Sequence, residues 1–587
     1  MQVLSREDYR PFPRWGERFD LRKNYVPLAE EAANQPLLSL PATRYMDFQR
    51  NGNRSRYQDL VNENRRLLSV LVLAECQEAK GRFIDPIIDR IWAMCEESTW
   101  IIPASLNQYP TVDCTAYELP HPDTYTYIDL SSAFSGAMLA IYLYLLREPL
   151  EKESPVLVRR VERELGERLF DPFLGTDLMW WMGFTSHPVN NWNPWNNGNL
   201  LTAALLADPD PDRRDKVVRK ALFSAQNFLD IYPEDGGCDE GPTYFGVAGA
   251  CLLDLCQIID SARTDGGESA FTLPKLREMA RYITHMRIEG DLYVNYADAT
   301  PHVTPPAGTL YRSAQALHDP SLEAFARSLP WGDDLLPLSN PWRVMRDLLS
   351  PRPEPMAPVW EPGWYFPGIQ VCVGRTEHLF FSAKGGHNAE SHNHNDVGNY
   401  ILYSNGRPVV VDIGTMEYTR ATFTSERWSI FTFCSPYHNT LIPAGAEQPP
   451  TREACARSVA FEDDGNALTF SLDMAGAYPA ESGLARFKRT FTLDRKEETL
   501  TVHEEAEGRD LAIPIILSSK PDLRPGHIRL GDVTLTYDPA ALTAAVEEFE
   551  LYDRRQKNEW GRDTLFRLLL SRPCGGEWTY TYRFDPA

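Results

Sequence analysis

Residues that can hold a metal ion or move protons are concentrated in one short stretch of the second half of the chain. It contains His392, His394, Asp412 and His438. Imidazole and carboxylate groups are the ligands that divalent transition metals prefer. Two histidines and one aspartate are enough for a Zn²⁺ site, with Mn²⁺ as an alternative, and one histidine then remains for chemistry beside the metal. The competing interpretation is a hydrogen-bonded polar cluster without a metal.

Alternation of apolar and polar residues around these histidines predicts β-strands. In a strand, residues two apart face the same side, so His392 and His394 could address one site. The dipeptide Asn405-Gly406 is a strong hairpin signal between two such strands. Asp412 follows that hairpin and can fold back toward the histidines.

An asparagine- and tryptophan-rich stretch is the second candidate region. Residues 189–199 contain six asparagines and two tryptophans. Because Asn and Gly favour turns, we expect a structured loop between helices. On a rigid scaffold, such a loop can present amide donors and aromatic faces to a ligand. An uncharged amide can donate hydrogen bonds to a carboxylate.

A glycine-rich acidic turn at residues 235–244 is the third candidate region. It leads into a helix predicted from Tyr244 to Ile259. Tyr244 would lie in the first helical turn, where the positive potential of the N-terminus favours its phenolate. The structural interpretation is that Asp239 or Thr243 caps this helix.

The periodicity of the chain changes near its middle. Helical spacing dominates up to about residue 330, and period-two alternation follows a proline-rich connector between Pro337 and Pro367. We predict a multidomain α+β protein, with a helical domain over residues 1–350 and an antiparallel, sandwich-like β-sheet domain over residues 351–587. A further division near residue 505 is an open alternative.

Composition restricts the partners and the compartment. A net charge of −23 disfavours nucleic acid, and the apolar runs are too short to span a membrane. The first residues contain no secretory signal, and ten scattered cysteines suit a reducing compartment. We expect a cytoplasmic protein, or a periplasmic or secreted one if a signal has been removed. The oligomeric state is open.

The three regions together resemble the heparinase II/III family of polysaccharide lyases. No single motif is specific, but the ordered set matches across about residues 90–445. The set comprises Asn-Asn-Trp at 190–192, Glu-Gly-Pro-x-Tyr at 240–244, His-x-His-x-Asp at 392–396, Asp-x-Gly at 412–414 and His-Asn-Thr at 438–440.

The resemblance implies an incomplete (α/α) toroid followed by layers of antiparallel β-sheet. It also implies β-elimination at a uronic acid, in which the C5 proton is removed and the glycosidic oxygen leaves C4. The expected substrate is a uronic-acid oligosaccharide or polysaccharide, with glycosaminoglycans first and alginate-like polyuronates next. No organic cofactor is implied.

The resemblance also assigns roles to residues. Asn190 would neutralise the substrate carboxylate, with Asn191 as its neighbour and substitute. Tyr244 and His392 would be the acid–base pair. If both protons lie on one face of the sugar, Tyr244 could serve both steps. If they lie on opposite faces, each residue takes one step.

By the same analogy, one divalent metal is held by His394, Asp412 and His438. It would lock the segment that carries His392 without touching the substrate. For the two arginines among the expected substrate contacts, surface ion pairing is an equal alternative. We expect substrate contacts from Asn191, Trp192, Trp195, Glu240, Arg420 and Arg427.

Two other functions are compatible with the sequence. A glycoside hydrolase could use carboxylates among Asp235, Asp239 and Glu240, but the histidine set would then have no purpose. A sugar-binding protein without activity could keep the same fold. An unsaturated product distinguishes elimination from both alternatives.

Overall fold

The computed structural model describes residues 2–106, 119, 127–332 and 340–585. The chain divides into two compact units. Unit 1 comprises Met1–Tyr232, Gly246–Ala280 and Pro306–Pro358, and unit 2 comprises Pro233–Phe245, Arg281–Pro305 and Val359–Ala587. The last boundary lies in the proline-rich connector. Two earlier segments, which the sequence analysis placed in the helical domain, belong to unit 2.

Unit 1 is helical, and most of the predicted helices are present. The helices of the chain are α1 Val26–Ala33, α2 Ala42–Asn51, α3 Ser55–Glu78, α4 Ile84–Cys95, α5 Pro103–Leu106, α6 Leu130–Glu153, α7 Pro155–Leu165, α8 Asp171–Gly175, α9 Trp192–Ala207, α10 Pro211–Ile231, α11 Pro242–Phe245, α12 Gly249–Ala262, α13 Pro274–His285, α14 Ala307–Leu317, α15 Pro320–Arg327, α16 Pro341–Leu349 and α17 Arg554–Trp560. Short 3-10 turns occur at Trp180–Met182, Ala270–Thr272, Arg420–Phe423, Ser425–Ser429, Phe431–Phe433, Ser435–Tyr437, Ala475–Ala477 and Ala480–Ser482.

The asparagine-rich stretch is helix α9 from Trp192 onward, so the predicted loop was wrong. Every residue of α9 is buried, and it packs against α6, α10 and α12. The buried Asn193 amide donates to the carbonyls of Trp181 and Ser224. Asn197 donates to the Ser224 hydroxyl at 2.8 Å. Partners on neighbouring segments accept hydrogen bonds from these amide donors, so packing outweighs the turn preference of asparagine.

The helix predicted from Tyr244 to Ile259 is interrupted. The short helix α11 ends at Phe245, and α12 begins at Gly249 after Ala248, whose φ and ψ are −106° and −97°. The interruption coincides with a change of unit, because α11 belongs to unit 2 and α12 to unit 1. Tyr244 therefore lies on a four-residue helix of the sheet unit.

Unit 2 is built on antiparallel strands, and the mixed α+β class is confirmed. The strands are β1 Arg287–Glu289, β2 Leu292–Tyr293, β3 Gly363–Phe366, β4 Val371–Arg375, β5 Leu379–Lys384, β6 Tyr400–Ser404, β7 Arg407–Val410, β8 Ile442–Pro443, β9 Arg457–Asp463, β10 Ala467–Asp473, β11 Arg486–Asp494, β12 Thr499–Leu517, β13 Asp522–Arg524, β14 His527–Leu530, β15 Val533–Tyr537, β16 Thr543–Glu550 and β17 Thr564–Phe584.

Strands β3 to β17 form one sheet within the described residues, and β1 pairs only with β2. The hairpin between β6 and β7 turns at Asn405 and Gly406, whose φ values of +48° and +69° suit the predicted tight turn. Residue 505, the position of the optional further division, lies inside the unbroken strand β12.

The core of unit 2 lies between two faces of this sheet. Phe381 on β5 and Tyr400 on β6 pack against Phe491 on β11, with ring centroids 5.1 and 5.2 Å apart. All three rings are fully buried. Strands β4 to β7 and strands β10 to β12 therefore contribute to one apolar layer.

A fully buried ion pair supports two loops, the loop that follows β5 and the loop that precedes β8. Arg489 Nε lies 2.7 Å from Glu504 Oε1, and neither side chain is exposed. Arg489 also donates to the carbonyl of Gly398 at 2.8 Å and to those of Asn439 at 2.8 Å and Thr440 at 3.1 Å. One guanidinium thus ties together two loops that carry the histidine motif.

Within the described residues, two helical segments are long and apolar enough to cross a membrane by length and composition alone. They are Leu130–Glu153 and Pro242–Ala262, and 89% and 72% of their apolar windows are buried inside the protein. Core helices of a folded protein pass the same test, so this is weak evidence for a membrane span.

We expect Glu504→Gln to lower the free energy of unfolding by about 3–5 kcal/mol, because it leaves the Arg489 charge buried without its partner. The matched control is Arg486→Gln, which breaks the surface pair of Arg486 with Glu505 on the same two strands. That control should cost less than about 1 kcal/mol. Urea unfolding measures both variants, and equal losses would contradict the role given to burial.

Candidate active site

A fully buried aspartate, Asp298, lies at the centre of a hydrogen-bonded cluster in unit 2. Its Oδ2 atom is 2.8 Å from His392 Nδ1 and 2.7 Å from the Tyr418 hydroxyl. Its Oδ1 atom is 3.1 Å from His394 Nε2 and 3.0 Å from Arg427 Nη2. The sequence analysis missed Asp298 and Tyr418, because no motif spacing connects them to the histidines.

His392 lies in a loop, so the predicted strand was wrong at this point. Its φ is +57°, in the left-handed region that residues other than glycine rarely adopt. His392 and His394 nevertheless address one centre, because their rings contact different oxygens of Asp298. Their convergence is produced by a turn and a shared acceptor, and not by strand alternation.

The Tyr244 and His392 rings are stacked, with centroids 3.9 Å apart and planes inclined by 28°. The Tyr244 hydroxyl lies 2.7 Å from the Tyr418 hydroxyl. On its other nitrogen, His392 Nε2 is 3.4 Å from a carboxylate oxygen of Glu240. Three predicted site residues, Tyr244, His392 and Glu240, therefore lie together, with Tyr418 as an additional member.

The electrostatic environment shifts the titrating groups. Burial alone would raise the pKa of Asp298, but hydrogen bonds from His392 and His394 and the charge of Arg427 hold it well below its usual range. Burial alone would lower the pKa of His392, but the hydrogen bond and charge of Asp298 and the charge of Glu240 raise it overall. The surrounding donors therefore favour the charged form of Asp298.

The expectation of a phenolate-favouring environment at Tyr244 was wrong. Burial and then the negative charge of Asp298 raise the pKa of Tyr244 above its ordinary value. The helix that carries it has only four residues, which is too short to supply the expected field. Tyr244 is thus a neutral phenol in the resting protein.

The two arginines predicted to bind substrate differ in their surroundings. Arg427 is largely buried, and its Nη2 donates to Asp298 and to the Asn393 carbonyl at 2.8 Å. Its guanidinium also lies over the Phe433 ring, 3.8 Å from the centroid. Arg427 therefore supports the histidine loop, which differs from the alternative of surface ion pairing, and its contact with substrate stays a prediction. Arg420 is exposed at the start of a 3-10 turn, and its contact with substrate stays a prediction.

The three predicted metal ligands form a compact, fully buried group. One donor atom from each of His394, Asp412 and His438 lies within 4.8 Å of the others. His438 Nδ1 is 2.9 Å from Asp412 Oδ2. Among the described residues, the donor atoms of Glu377, His378 and Glu498 lie equally close together, in a group that is half-buried to exposed. The Glu498 carboxylate of this group already accepts hydrogen bonds from the backbone N–H groups of residues 377 and 378.

The donor atoms of the buried group fit a metal. A carboxylate only accepts, so Asp298 requires the His394 proton on Nε2, and this leaves Nδ1 with a lone pair. His394 Nδ1 is buried and has no hydrogen-bond partner among the described residues. The Thr432 carbonyl, 3.0 Å from His438 Nε2, requires a proton on that nitrogen, while His438 Nδ1 faces Asp412 Oδ2 at 2.9 Å and becomes a ligand when it gives up its proton to make room for an ion. Two imidazole nitrogens and a carboxylate thus point into one small volume.

The predicted substrate contacts of the asparagine-rich stretch lie in unit 1. Asn190 Oδ1 accepts a hydrogen bond from the Trp192 backbone N–H at 3.0 Å, at the start of α9. Trp192 and Trp195 are buried, and Trp195 donates its indole N–H to the Leu130 carbonyl. Asn191 is buried as well. Both indoles are therefore core residues of unit 1, and the substrate contacts of all four residues stay predictions.

The carboxylates of the hydrolase alternative have structural contacts. Asp235 accepts hydrogen bonds from two glycine backbone N–H groups, and Asp239 accepts one from Ser391. Glu240 is buried beside His392. The arrangement therefore gives no support to a pair of carboxylates acting on opposite sides of a glycosidic bond.

Residues 361–552 match the family model described as Heparinase II/III-like, C-terminal. The matched range contains the three metal-ligand candidates and His392, but it excludes Tyr244 and Asp298. The comparison with curated proteins gives no match.

Several solved structures share the fold. Heparinase III has a TM-score of 0.65 and 12% identity, over 96% of this chain and 89% of that one. A mutant of heparan sulfate lyase HepC from Pedobacter heparinus has a TM-score of 0.61 and 12% identity, over 99% and 87%. Chondroitin AC lyase from Streptomyces coelicolor A3, in complex with chondroitin sulphate, has a TM-score of 0.52 and 11% identity, over 96% and 83%. The chain therefore shares the fold of these structures, and residues 361–552 match the C-terminal domain of heparinase II/III-like proteins.

Proposed function

We propose that this protein is a lyase that cleaves uronic-acid-containing glycans by β-elimination and leaves an unsaturated uronate. The observation that carries the proposal is the stacked pair of Tyr244 and His392, both connected to the buried Asp298. Glycosaminoglycans are the first substrates to test, because the similar structures are named as heparinase, heparan sulfate lyase and chondroitin lyase. Alginate-like polyuronates come next.

The reaction needs one group that removes the C5 proton and one that protonates the oxygen leaving C4. A phenol and an imidazole in ring contact could act together on a single sugar ring as two proton-transfer groups. The base and acid roles of Tyr244 and His392 depend on the configuration at C5. Tyr418 contacts the Tyr244 hydroxyl and Asp298, so it acts as a positioning residue for the Tyr244 proton.

The C5 proton becomes acidic only when the neighbouring carboxylate is neutralised, because negative charge develops there in the transition state. We assign this role to Asn190. Its Oδ1 atom accepts a hydrogen bond from the Trp192 backbone N–H, so this contact uses none of its Nδ2 donors. An amide offers two such donors, which are the groups that a carboxylate would need.

We propose Zn²⁺ as the metal of the buried group, with Mn²⁺ as the alternative, because two imidazoles and a carboxylate are typical Zn²⁺ ligands. When bound, the ion supplies a fixed positive charge that orders His394, Asp412 and His438. All three are fully buried, so a substrate carboxylate does not reach the ion. Its function is therefore to hold the loop that carries His392. We also propose that the protein acts in the cytoplasm on imported oligosaccharides.

Removing either proton-transfer group should strongly slow elimination without unfolding the protein. We expect Tyr244→Phe and His392→Gln each to reduce kcat by about 10²–10⁴-fold, the usual contribution of a general acid or base. The assay follows the ultraviolet absorbance of unsaturated product from a panel of uronic-acid glycans. Tyr365→Phe serves as the control, because Tyr365 lies on β3 and stacks on Phe461. Glycan binding without any unsaturated product from the unaltered protein would contradict the proposal.

Asn190→Asp separates charge neutralisation from helix support. The new carboxylate keeps an oxygen for the Trp192 N–H, so the start of α9 should remain intact. The lost donor and the added negative charge should lower kcat/KM by about 10²–10³-fold or more. Circular dichroism and melting temperature should stay unchanged, and activity near that of the unaltered protein would exclude Asn190 from the reaction.

Removing the metal should lower thermal stability and activity together, because the ion stabilises the folded site. At a free concentration 100 times its Kd, a bound ion contributes about 2.7 kcal/mol. Asp412→Asn should show the same lowered melting temperature, and chelator should then have no further effect. Metal content is measured by elemental analysis. A chelated protein that loses activity but melts at the original temperature would instead indicate direct participation of the ion in catalysis.

A further inference from the structure

We propose that Asp298 is a positioning residue that couples occupancy of the buried metal group to the placement of the Tyr244–His392 pair. The inference deepens the proposed function and rests on it for the catalytic roles of Tyr244 and His392. Its structural part concerns only contacts within unit 2, and it assigns a role to a residue outside the family-matched range.

The first argument is the hydrogen-bonding capacity of a carboxylate. An ionised carboxylate has about four lone-pair sites and no donor. Asp298 receives four partners: His392 and Tyr418 on Oδ2, and His394 and Arg427 on Oδ1. Each of these four groups must therefore donate. The acceptor is saturated, so rotating it to improve one contact weakens another.

The second argument is that the two Asp298 oxygens bind different groups. Oδ1 fixes the ring orientation and the proton of His394, a metal-ligand candidate. Oδ2 fixes the proton of His392 on Nδ1 and accepts a hydrogen bond from the Tyr418 hydroxyl. Because Tyr418 then donates to Asp298, its oxygen must accept the proton of Tyr244. One rigid group thereby sets proton positions at both centres.

The third argument is the additional clamp on the histidine loop. Arg427 Nη2 donates to Asp298 Oδ1 and also to the backbone carbonyls of His392 at 3.3 Å and Asn393 at 2.8 Å. The Asp298 carboxylate thus contacts two imidazole rings of this loop directly. Through the Arg427 guanidinium it is also connected to the backbone of the loop. A displacement of the His394 ring would therefore move Asp298 and, with it, the His392 ring.

Backbone strain occurs at both ends of the central hydrogen bond. Ala297, which precedes Asp298, has a φ of +58°, and His392 has a φ of +57°. A non-glycine residue in this region costs on the order of 1–2 kcal/mol. Strained residues persist where the surrounding contacts determine the geometry, so the strain is consistent with a carboxylate and an imidazole held in a required relation.

The consequence is a reciprocal linkage. If metal binding at His394 stabilises the arrangement of Asp298 and His392, then contacts at His392 must change metal affinity by the same factor. Partners that orient metal-ligating histidines typically change metal affinity by about 10–100-fold when removed. We expect Asp298→Asn to weaken Zn²⁺ binding by about this factor and to lower kcat with little change in KM.

The test uses the full chain labelled with ¹⁵N-histidine and needs no substrate. Zn²⁺ is added to the metal-free protein, and the imidazole resonances are assigned with His392→Gln and His394→Gln. In the unaltered protein, Zn²⁺ should shift the His394, His438 and His392 resonances. In Asp298→Asn, the His394 and His438 resonances should still shift at higher Zn²⁺, while the His392 resonance should not.

Two further variants distinguish coupling from loss of fold. Asp254→Asn removes a buried, arginine-paired aspartate of unit 1, and it should lower the melting temperature but leave Zn²⁺ affinity unchanged. Tyr418→Phe removes one contact on Oδ2, so it should lower kcat and leave Zn²⁺ affinity within about twofold. A His392 response to Zn²⁺ that survives in Asp298→Asn would overturn the inference.

If Asp298→Asn does not fold, the Nδ1 proton of His392 in the unaltered protein gives the answer. This proton lies in the hydrogen bond to Asp298, so its resonance should shift when Zn²⁺ binds; no shift would overturn the inference. Failure of the lyase proposal is distinguishable, because the resonance and affinity measurements are independent of turnover. A coupled site without unsaturated product would retain the linkage and reject the lyase.

Discussion

A carboxylate cannot remain charged inside a protein unless donors surround it, and this constraint organises the candidate site. Asp298 is fully buried and keeps its charge because two imidazoles, a phenol and a guanidinium donate to it. Those donors come from separate parts of unit 2, so satisfying one charge brings together Tyr418, Arg427 and the histidine loop. The stacked Tyr244 ring then joins through the Tyr418 hydroxyl.

A second buried charge, Arg489, holds the backbone of the two loops that carry His394 and His438. Arg489 is neutralised by Glu504 on the neighbouring strand, and its remaining donors hold the carbonyls of Gly398, Asn439 and Thr440. Those carbonyls lie a few residues from His394 and His438. The sheet therefore fixes the loop backbones through a cation, while Asp298 fixes the side chains through an anion. Neither charge is exposed, which makes both contacts insensitive to salt screening.

The sequence allowed prediction of the features that repeat locally or form a compact motif. Hydrophobic spacing identified most helices and strands, and the ligand chemistry of His394, Asp412 and His438 identified a group that the structure brings within bonding reach of one ion. It failed where long-range packing decides. Burial converted the asparagine-rich stretch into α9, and Asp298 and Tyr418 carry no signal in their own neighbourhoods. Their importance arises only from contacts across more than 90 positions of the chain.

The interleaved course of the chain has a consequence for gene architecture. Tyr244 and Asp298 belong to two short excursions from the helical half, Pro233–Phe245 and Arg281–Pro305, that are built into the sheet unit. A gene segment that encodes only residues 359 onward would transfer the metal-ligand candidates and His392 but leave Tyr244 and Asp298 behind. Recombination at the proline-rich connector therefore cannot move the whole candidate site into another protein. The two halves are constrained to be inherited together.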